Sequence, residues 1–579
     1  MSIAVDRLPQ HLKQYIDQQN YDQYTQRDHA VWRYILRQNV SYFASKGYAV
    51  PEYAHGLKLT GIPLDTIPRI SEMDASLEKF GWGAVPVCGF IPPIAFLEFQ
   101  SHGVLPIAHN MRNINHIGYT PAPDIVHESA GHAPILVNEV YADYLKRYAE
   151  VAKKAISSKK YFQQYEAIRK LSDLKELPGV SATEIEKAAH ELHLLKDGSG
   201  DVSESAQVIR LYWWTAEYGL FGDMNAPKVF GAGLLSSVDE SQNCLSARVK
   251  KIPFSIDCIH YAYDITEAQP QLFVVRKFED LLTTLDEMEK LLAYKRGGIY
   301  GIKKALESET VVTIKWLQGA LFSGIVSKHD SINDSLDLIQ LTGPIQIGFN
   351  DTLMEGNLDI SRENWVLPIG TPKLIQSNQV TKKSSEIKLG DSLLLHYGDS
   401  LSIEGKVTLI KSNDLKIGML KLENVLMNLK GVKSKLNFLF VPFGAEISSV
   451  YGGPFDQNLY QEYDVGKAST KPVQNITHTS KEIALFDMYK RVYALGNNMQ
   501  ENDFKRLCYF IDQIFETYPK EWLLWLEVLQ MLRKNQVKSP VISELIFEFQ
   551  ERIKSSVNNI SQPEIELLQK ELLLHEIII

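Results

Sequence analysis

The spacing of apolar residues changes near residue 310, and this change constrains the fold more than any other feature of the sequence. Before it, apolar residues recur at helical spacing, as in "RDHAVWRYILRQNV". After it, "LSIEGKVTL" alternates apolar and polar residues, which is the period of a half-buried strand. Helical spacing returns in "KEWLLWLEVLQMLRK", which places its apolar residues close to one face. The pattern predicts a mainly helical first part, a β-rich middle and a helical end.

These shifts divide the 579 residues into three predicted regions. We expect a mainly α domain over residues 1–300, a β-rich domain of unknown role over 305–470 and a helical region over 478–579. Within the first region, 85–125 is rich in Pro, Gly and Asn, which predicts loops and short turns. Residues 272–294 are predicted to form a helix.

The composition narrows the class of protein and its compartment. The formal net charge of -9 is small for this length and gives no reason to expect a nucleic-acid partner. The four cysteines form no C-x-x-C pair, which favours a reducing compartment over a disulfide framework. The N-terminus lacks the apolar stretch of a secretory signal, and the longest apolar run carries three prolines. We therefore expect a soluble, cytoplasmic protein with no membrane partner.

Two histidines stand five residues apart in "PDIVHESAGH", which resembles the zinc-peptidase motif H-E-x-x-H with one residue too many. On an ideal α-helix, residues i and i+5 point about 140° apart, so His127 and His132 cannot grip one ion from a regular helix. Gly131 allows the backbone to bend there at low steric cost. The spacing argues against a zinc peptidase but leaves metal binding open.

Two imidazoles need a third ligand to hold a catalytic metal. A carboxylate would complete the two-histidine, one-carboxylate triad of non-haem Fe(II) enzymes, which leaves open positions for dioxygen and water. The alternative is a pair of histidines that bind no metal and are hydrogen-bonded or exposed to solvent. Spacing alone does not decide between these interpretations.

The surrounding residues resemble a known family. "YTPAPDIVHESAGHAPIL" is similar to the iron-site signature of the pterin-dependent aromatic amino acid hydroxylases, P-D-x-x-H-E-x-x-G-H-x-P. Downstream, "LYWWTAEYGLFGD" and "FGAGLLSSVDESQNCLS" resemble two further blocks of the same family, in the same order. The resemblance runs from about residue 20 to about 297. It implies that residues 1–300 form the iron- and pterin-dependent catalytic domain, with a helical insertion at about 150–200.

The resemblance also implies which side chains hold the metal and the cofactor. The iron ligands fall on His127, His132 and Glu217; Glu217 lies far along the chain, so only the fold can bring it close. The pterin is expected to contact Glu128, Phe96 and Tyr212. Phe96 offers the flat apolar face on which a flat heterocycle stacks.

Further matching positions are expected to bind the substrate. Arg112 corresponds to the arginine that holds the amino acid carboxylate, which a guanidinium can grip with two hydrogen bonds. Thr120, Trp213 and Ser236 correspond to other residues of the pocket. Asp124 is expected to cap a helix start rather than to support another side chain.

The implied activity is an Fe(II) monooxygenase that uses tetrahydropterin and dioxygen as cosubstrates. It would hydroxylate the ring of a small-molecule aromatic amino acid, most simply converting L-phenylalanine to L-tyrosine. The family usually has bulky residues where Ser129 and Ala130 stand, which leaves the preferred amino acid open. The alternatives are a tryptophan hydroxylase, a zinc metallopeptidase with Glu128 as general base, and a non-catalytic iron or pterin binder. The sequence does not predict the oligomeric state.

Overall fold

The fold is described from a computed structural model of the chain. The coarse order of secondary structure follows the sequence prediction: mostly helices first, then antiparallel sheets, then helices again. The structure describes residues 3–46, 52–118, 122–176, 180–196, 202–263, 268–332, 335–358, 365–397, 401–413, 416–444, 446–457, 478–498, 504–535 and 540–573.

The first part is built from helices of four to 21 residues and six short strands. Its helices are α1 (Ile3–Asp6), α2 (Gln10–Lys13), α3 (Gln26–Lys46), α4 (Tyr53–Leu59), α5 (Ile70–Leu77), α6 (Pro93–Ser101), α7 (Glu139–Ala152), α8 (Lys159–Glu176), α9 (Ala182–Lys196), α10 (Glu204–Tyr212), α11 (Ala232–Ser236), α12 (Val238–Asn243), α13 (Glu279–Leu291), α14 (Ala293–Arg296) and α15 (Gly298–Ser308). Its strands are β1 (Gly83–Val87), β2 (Val104–Ala108), β3 (Leu220–Asp223), β4 (Ala226–Val229), β5 (Lys250–Pro253) and β6 (Gln271–Val275). Two π-helices, Val126–Gly131 and Trp213–Glu217, interrupt the helical pattern.

The strands of the first part form two small sheets. β1 and β2 pair in parallel, and α6 connects them. The other sheet has the order β4-β3-β6-β5. Two sequence predictions were wrong here. The 85–125 stretch contains β1, α6 and β2 rather than loops alone, and the predicted helix over 272–294 begins as strand β6 and becomes helical only at Glu279.

The middle part consists of two antiparallel sheets. One has the order β10-β9-β8-β7-β18, with β11 paired to β9, and the other has the order β13-β12-β14-β15-β16-β17. The strands are β7 (Val311–Trp316), β8 (Ala320–Ile332), β9 (Ser335–Phe349), β10 (Thr352–Leu358), β11 (Trp365–Pro368), β12 (Leu374–Ser377), β13 (Val380–Thr381), β14 (Ser392–Tyr397), β15 (Leu401–Asn413), β16 (Lys416–Leu429), β17 (Val432–Pro442) and β18 (Ile447–Gly452). Buried side chains of both sheets and of α15 form one hydrophobic cluster.

The last helices pack onto the first part of the chain. They are α16 (Ser480–Asn498), α17 (Phe504–Thr517), α18 (Trp522–Asn535), α19 (Pro540–Ser556) and α20 (Gln562–Leu573). Their buried residues belong to the same hydrophobic cluster as those of the first part. The Tyr34 and Trp522 rings meet edge to face with centroids 5.5 Å apart.

Charged side chains join the same two parts. Glu527 of α18 accepts hydrogen bonds from Arg33 and Arg37 of α3, at 2.6 and 3.3 Å. Glu571 of α20 accepts from Arg37 at 2.9 Å and from Gln38 at 2.6 Å. These carboxylates are buried, so the ion pairs lie inside the contact rather than at its rim. The first and last parts of the chain therefore share one core.

None of the helices in these described ranges combines the length and the apolar character that crossing a membrane requires.

Candidate functional site

His127 and His132 converge because the backbone between them forms a π-helix. The π-helix Val126–Gly131 has the wider i→i+5 repeat, so residues five apart lie on one side. The two Nε2 atoms are 3.3 Å apart, and the rings are perpendicular. The five-residue spacing that a regular α-helix cannot use is therefore accommodated by this local widening.

Gly131 is needed for close packing rather than for an unusual backbone angle. A Cβ atom at this position would lie 2.8 Å from the carbonyl oxygen of Ala232 in α11. Because glycine has no side chain, the π-helix and α11 can approach this closely. The approach brings α11 beside the two histidines.

The carboxylate of Glu217 reaches both histidines. Glu217 is the last residue of the second π-helix, Trp213–Glu217. Its Oε1 lies 3.2 Å from Nε2 of His132, and its Oε2 lies 3.4 Å from Nε2 of His127. Ligands at about 2.1 Å from a metal and at right angles to one another stand about 3.0 Å apart, which is close to this spacing. The donor set fits one divalent metal ion.

The electrostatics of the three groups are coupled. Burial lowers the pKa of His127 to about 4, although Glu217 opposes the shift. Burial alone would also lower the pKa of His132, but the Glu217 carboxylate outweighs it and the pKa is raised. Burial alone would raise the pKa of Glu217, but His132 and His127 outweigh it and the pKa is lowered. Glu217 is thus an anion at neutral pH and His127 is neutral, as metal ligands must be.

Ser236 contacts His127 at Nδ1, the ring nitrogen opposite the one that faces Glu217 and His132. Its Oγ lies 2.9 Å from Nδ1 of His127. A hydrogen bond at one ring nitrogen fixes the tautomer and leaves the other nitrogen for a metal. Ser236, which the sequence assigned to the substrate pocket, therefore also contacts a predicted metal ligand.

Arg112 is buried and held by Asp124. Its Nε and Nη2 donate to the two carboxylate oxygens of Asp124, each at 2.7 Å, and its Nη1 donates to the Ser236 carbonyl at 2.8 Å. Asp124 also accepts from the backbone N–H of His127 at 3.0 Å. The expected capping contact is therefore present, and Asp124 supports Arg112 as well. Three of the five N–H bonds of the guanidinium are used in these contacts, and the side chain has no exposed surface.

The predicted pterin contacts lie next to the histidines. The Phe96 and His132 rings are 6.3 Å apart, and the Tyr212 and His132 rings are 6.4 Å apart. Gln100 donates to the Tyr212 hydroxyl at 3.0 Å, a contact that no sequence motif indicated. Glu128 is buried, and its Oε2 has no hydrogen-bond partner among the described residues. Burial raises the pKa of Glu128 to about 8.

Trp213 lies in a stack of aromatic rings. Its ring stacks on Tyr263 with centroids 4.2 Å apart and on Tyr218 at 4.7 Å. No role was predicted for Tyr263 from the sequence. Thr120, the remaining predicted substrate contact, lies outside the described residues.

The geometry brings two imidazoles and one carboxylate together in a donor set that suits one metal ion. Residues 11–163 and 174–297 match the family model described as biopterin-dependent aromatic amino acid hydroxylase. The N-terminal half of the chain therefore belongs to this family. The match therefore disfavours the zinc metallopeptidase that the sequence analysis left as an alternative.

Relatives in bacteria and mammals align with about half of the chain. The chain is 29% identical over 266 residues to phenylalanine-4-hydroxylase of Chromobacterium violaceum, covering 45% of this chain and 74% of that protein. It is 27% identical over 300 residues to the Mesorhizobium japonicum enzyme of that name, covering 51% and 90%. It is 28% identical over 264 residues to the Bos taurus enzyme of the same name, and this alignment covers 45% of this chain and 48% of that protein. A solved structure of the Chromobacterium violaceum enzyme with iron(III) and 7,8-dihydrobiopterin has a TM-score of 0.38 and 23% identity, over 50% of this chain and 92% of that one.

Proposed function

We propose that this chain is a phenylalanine 4-monooxygenase that depends on Fe(II) and tetrahydropterin and converts L-phenylalanine to L-tyrosine. The observation that carries the proposal is the convergence of His127, His132 and Glu217, with 3.2–3.4 Å between their donor atoms. Family membership and relatives named phenylalanine-4-hydroxylase support the choice of reaction and substrate.

The residues of the triad hold the iron. His127 and His132 bind through Nε2, and Glu217 neutralises part of the charge of the ion. The His127 Nδ1–H donates to Ser236 Oγ and so keeps the Nε2 lone pair directed at the metal. When bound, iron and tetrahydropterin supply the reductive activation of dioxygen.

Phe96, Tyr212 and Glu128 hold the pterin. Phe96 provides an apolar face for the pterin ring, and its own ring centroid lies 6.3 Å from that of His132. The Glu128 carboxyl is predominantly protonated at neutral pH, so its Oε2 can donate a hydrogen bond to the cofactor. This cofactor contact would satisfy a buried polar atom that otherwise lacks a partner.

Arg112 and Trp213 position the substrate. Asp124 fixes the plane of the Arg112 guanidinium, which is the group expected to bind the amino acid carboxylate. Trp213 presents aromatic surface beside Tyr218 and Tyr263, which suits an aromatic side chain. The buried setting excludes bulk water from the metal.

The test is anaerobic reconstitution of the full chain with Fe(II), followed by tetrahydropterin, oxygen and each aromatic amino acid. Mass spectrometry should find tyrosine formed from phenylalanine. Changing His127→Ala or Glu217→Ala should abolish both iron retention and turnover, whereas the exposed control His260→Ala should retain both.

Other results would exclude the proposal. Hydroxytryptophan as the preferred product would assign the chain to tryptophan instead. Activity that follows bound zinc rather than iron, or full activity of Glu217→Ala, would refute the metal assignment. Iron binding without oxidation of the pterin by oxygen in the presence of any aromatic amino acid would indicate a non-catalytic binder.

A further inference from the structure

A second group of metal-ligating side chains lies outside the iron triad. Asp17, Cys88 and His109 each offer one ligand atom, and these atoms all lie within 4.8 Å of one another. Nε2 of His109 is 2.9 Å from Oδ2 of Asp17. The three residues come from three separate segments, so their convergence is produced by the tertiary fold.

The parallel pair β1 and β2 explains why the group forms. Cys88 follows the last residue of β1, and His109 follows the last residue of β2. The carboxyl ends of parallel strands lie at the same edge, so the two side chains leave the sheet side by side. The His109 N–H donates to the Val87 carbonyl at 3.0 Å and keeps the two strand ends in register.

Asp17 is brought to this edge by a third segment. Ile16 forms an antiparallel bridge with Val87, and the Asp17 N–H donates to the Pro86 carbonyl at 2.9 Å. Its backbone is therefore anchored on β1 next to Cys88. The carboxylate then faces the His109 imidazole across the strand end.

We propose that Asp17, Cys88 and His109 form a zinc site, with a solvent molecule as fourth ligand. A thiolate, an imidazole and a carboxylate are all ligands that Zn²⁺ accepts, and the sulfur disfavours the hard ions Mg²⁺ and Ca²⁺. On binding, the Cys88 thiol releases its proton to solvent. The complex of Zn²⁺ with one thiolate and one carboxylate is then neutral, which suits side chains that are only partly exposed.

Zinc at this position would fix the start of the segment that leads into α6. Residues 89–92 connect Cys88 to α6, which carries Phe96. Gly89 donates its N–H to Asn110 Oδ1 at 3.0 Å, so the residues after β1 and β2 are already joined there. The zinc site therefore adds a cross-link at the base of the Phe96 helix. It does not depend on the proposed function.

The test uses Co²⁺ as a spectroscopic probe in the full-length double variant His132→Ala, Glu217→Ala. This variant lacks two ligands of the predicted iron triad, so Co²⁺ should not be held there. The triad also contains no sulfur, so a sulfur-to-cobalt charge-transfer band must come from a cysteine outside it. We expect one equivalent of Co²⁺ to produce this band and Zn²⁺ to displace it. Zn²⁺ but not Mg²⁺ should also protect Cys88 from iodoacetamide, as read by mass spectrometry.

Single variants identify the ligands. Cys88→Ser should abolish the band, and Asp17→Asn or His109→Gln should weaken Co²⁺ binding by at least about tenfold, the smallest loss seen when only a supporting partner of a ligand is removed. Cys258→Ala removes a buried cysteine outside the group and should leave the band unchanged. Absence of the band, its survival in Cys88→Ser, or its loss in Cys258→Ala alone would each overturn the proposal.

Discussion

At the scale of single residues, Ser236 is the side chain that orients the predicted metal ligand His127. Ser236→Ala would remove the hydrogen bond at Nδ1 without changing a ligand. We expect iron to be retained about 10–100-fold more weakly, as for other partners of metal-binding histidines. Competition with a chelator measures the loss. The control is Ser241→Ala, which should bind iron normally, since the Ser241 hydroxyl donates to the Val238 carbonyl at 3.0 Å and not to a predicted ligand.

Glu240 should make stability depend on pH. It is buried, and burial raises its pKa from 4.5 to about 7. The folded chain therefore binds more protons than the unfolded chain between these pH values, and the free energy of unfolding falls as pH rises through this window. Glu240→Gln cannot ionise, so its stability relative to the wild type should increase by about 3 kcal/mol from below pH 4.5 to above pH 7.

Urea unfolding at pH 5 and pH 8 measures most of this difference. The exposed glutamate Glu287 provides a matched control, since Glu287→Gln should show the same difference from the wild type at both pH values. An equal effect of Glu240→Gln at both pH values would show that this carboxyl does not titrate as described.

The sequence predicted residues that belong to ordered motifs and missed those that do not. Glu217 was predicted as a ligand from the family resemblance, since its distance from His132 in sequence gives no reason to pair them. Tyr263 and Gln100 reach the site only through tertiary packing, and no spacing rule could indicate them. The roles of the site residues in binding iron, pterin and substrate stay predictions.

At the scale of elements, the first π-helix depends on Gly131. Gly131→Ala would place a Cβ 2.8 Å from the Ala232 carbonyl, so the π-helix and α11 would have to separate. We expect a loss of about 1–3 kcal/mol in the free energy of unfolding, together with weaker iron retention, because His132 follows directly. Thermal unfolding and metal analysis measure the two effects.

Gly496→Ala is the matched control for this substitution. Gly496 lies in α16, and the nearest atoms to an added Cβ are 3.7 Å away. Alanine there should be neutral or stabilising by up to about 1 kcal/mol, since glycine is a poor helix former. If the two alanine variants lost the same stability and retained iron equally well, the close approach at Gly131 would not explain the loss in Gly131→Ala.

Elements with a clear period were predicted well, and short apolar runs were not. Leu401, Ile403 and Val407 are buried in β15 as the alternation required. The strand at 271–275 was mistaken for helix because a short apolar run carries no period that separates the two structures.

At the scale of the whole molecule, Glu527 links the last helices to the first part. Glu527→Ala would leave the buried Arg33 guanidinium without its carboxylate. We expect a loss of about 3–5 kcal/mol in the free energy of unfolding, because breaking a buried pair strands a charge. Asp286→Ala breaks the exposed pair with Arg147 and should cost at most about 1 kcal/mol. Similar losses for both variants would contradict a shared core.

Helix α3 connects the last helices to the candidate site. One of its faces carries Arg33 and Tyr34 toward the last helices, while Asn39 donates to the carbonyl of Leu235, the neighbour of Ser236. A chain that ended where the family match stops would expose Tyr34 to water. It would also lack the three acidic partners of the α3 arginines, which are Glu521, Glu527 and Glu571. A chain shortened in this way should aggregate when it is produced, so the residues after 297 have to be kept in the protein used for assay.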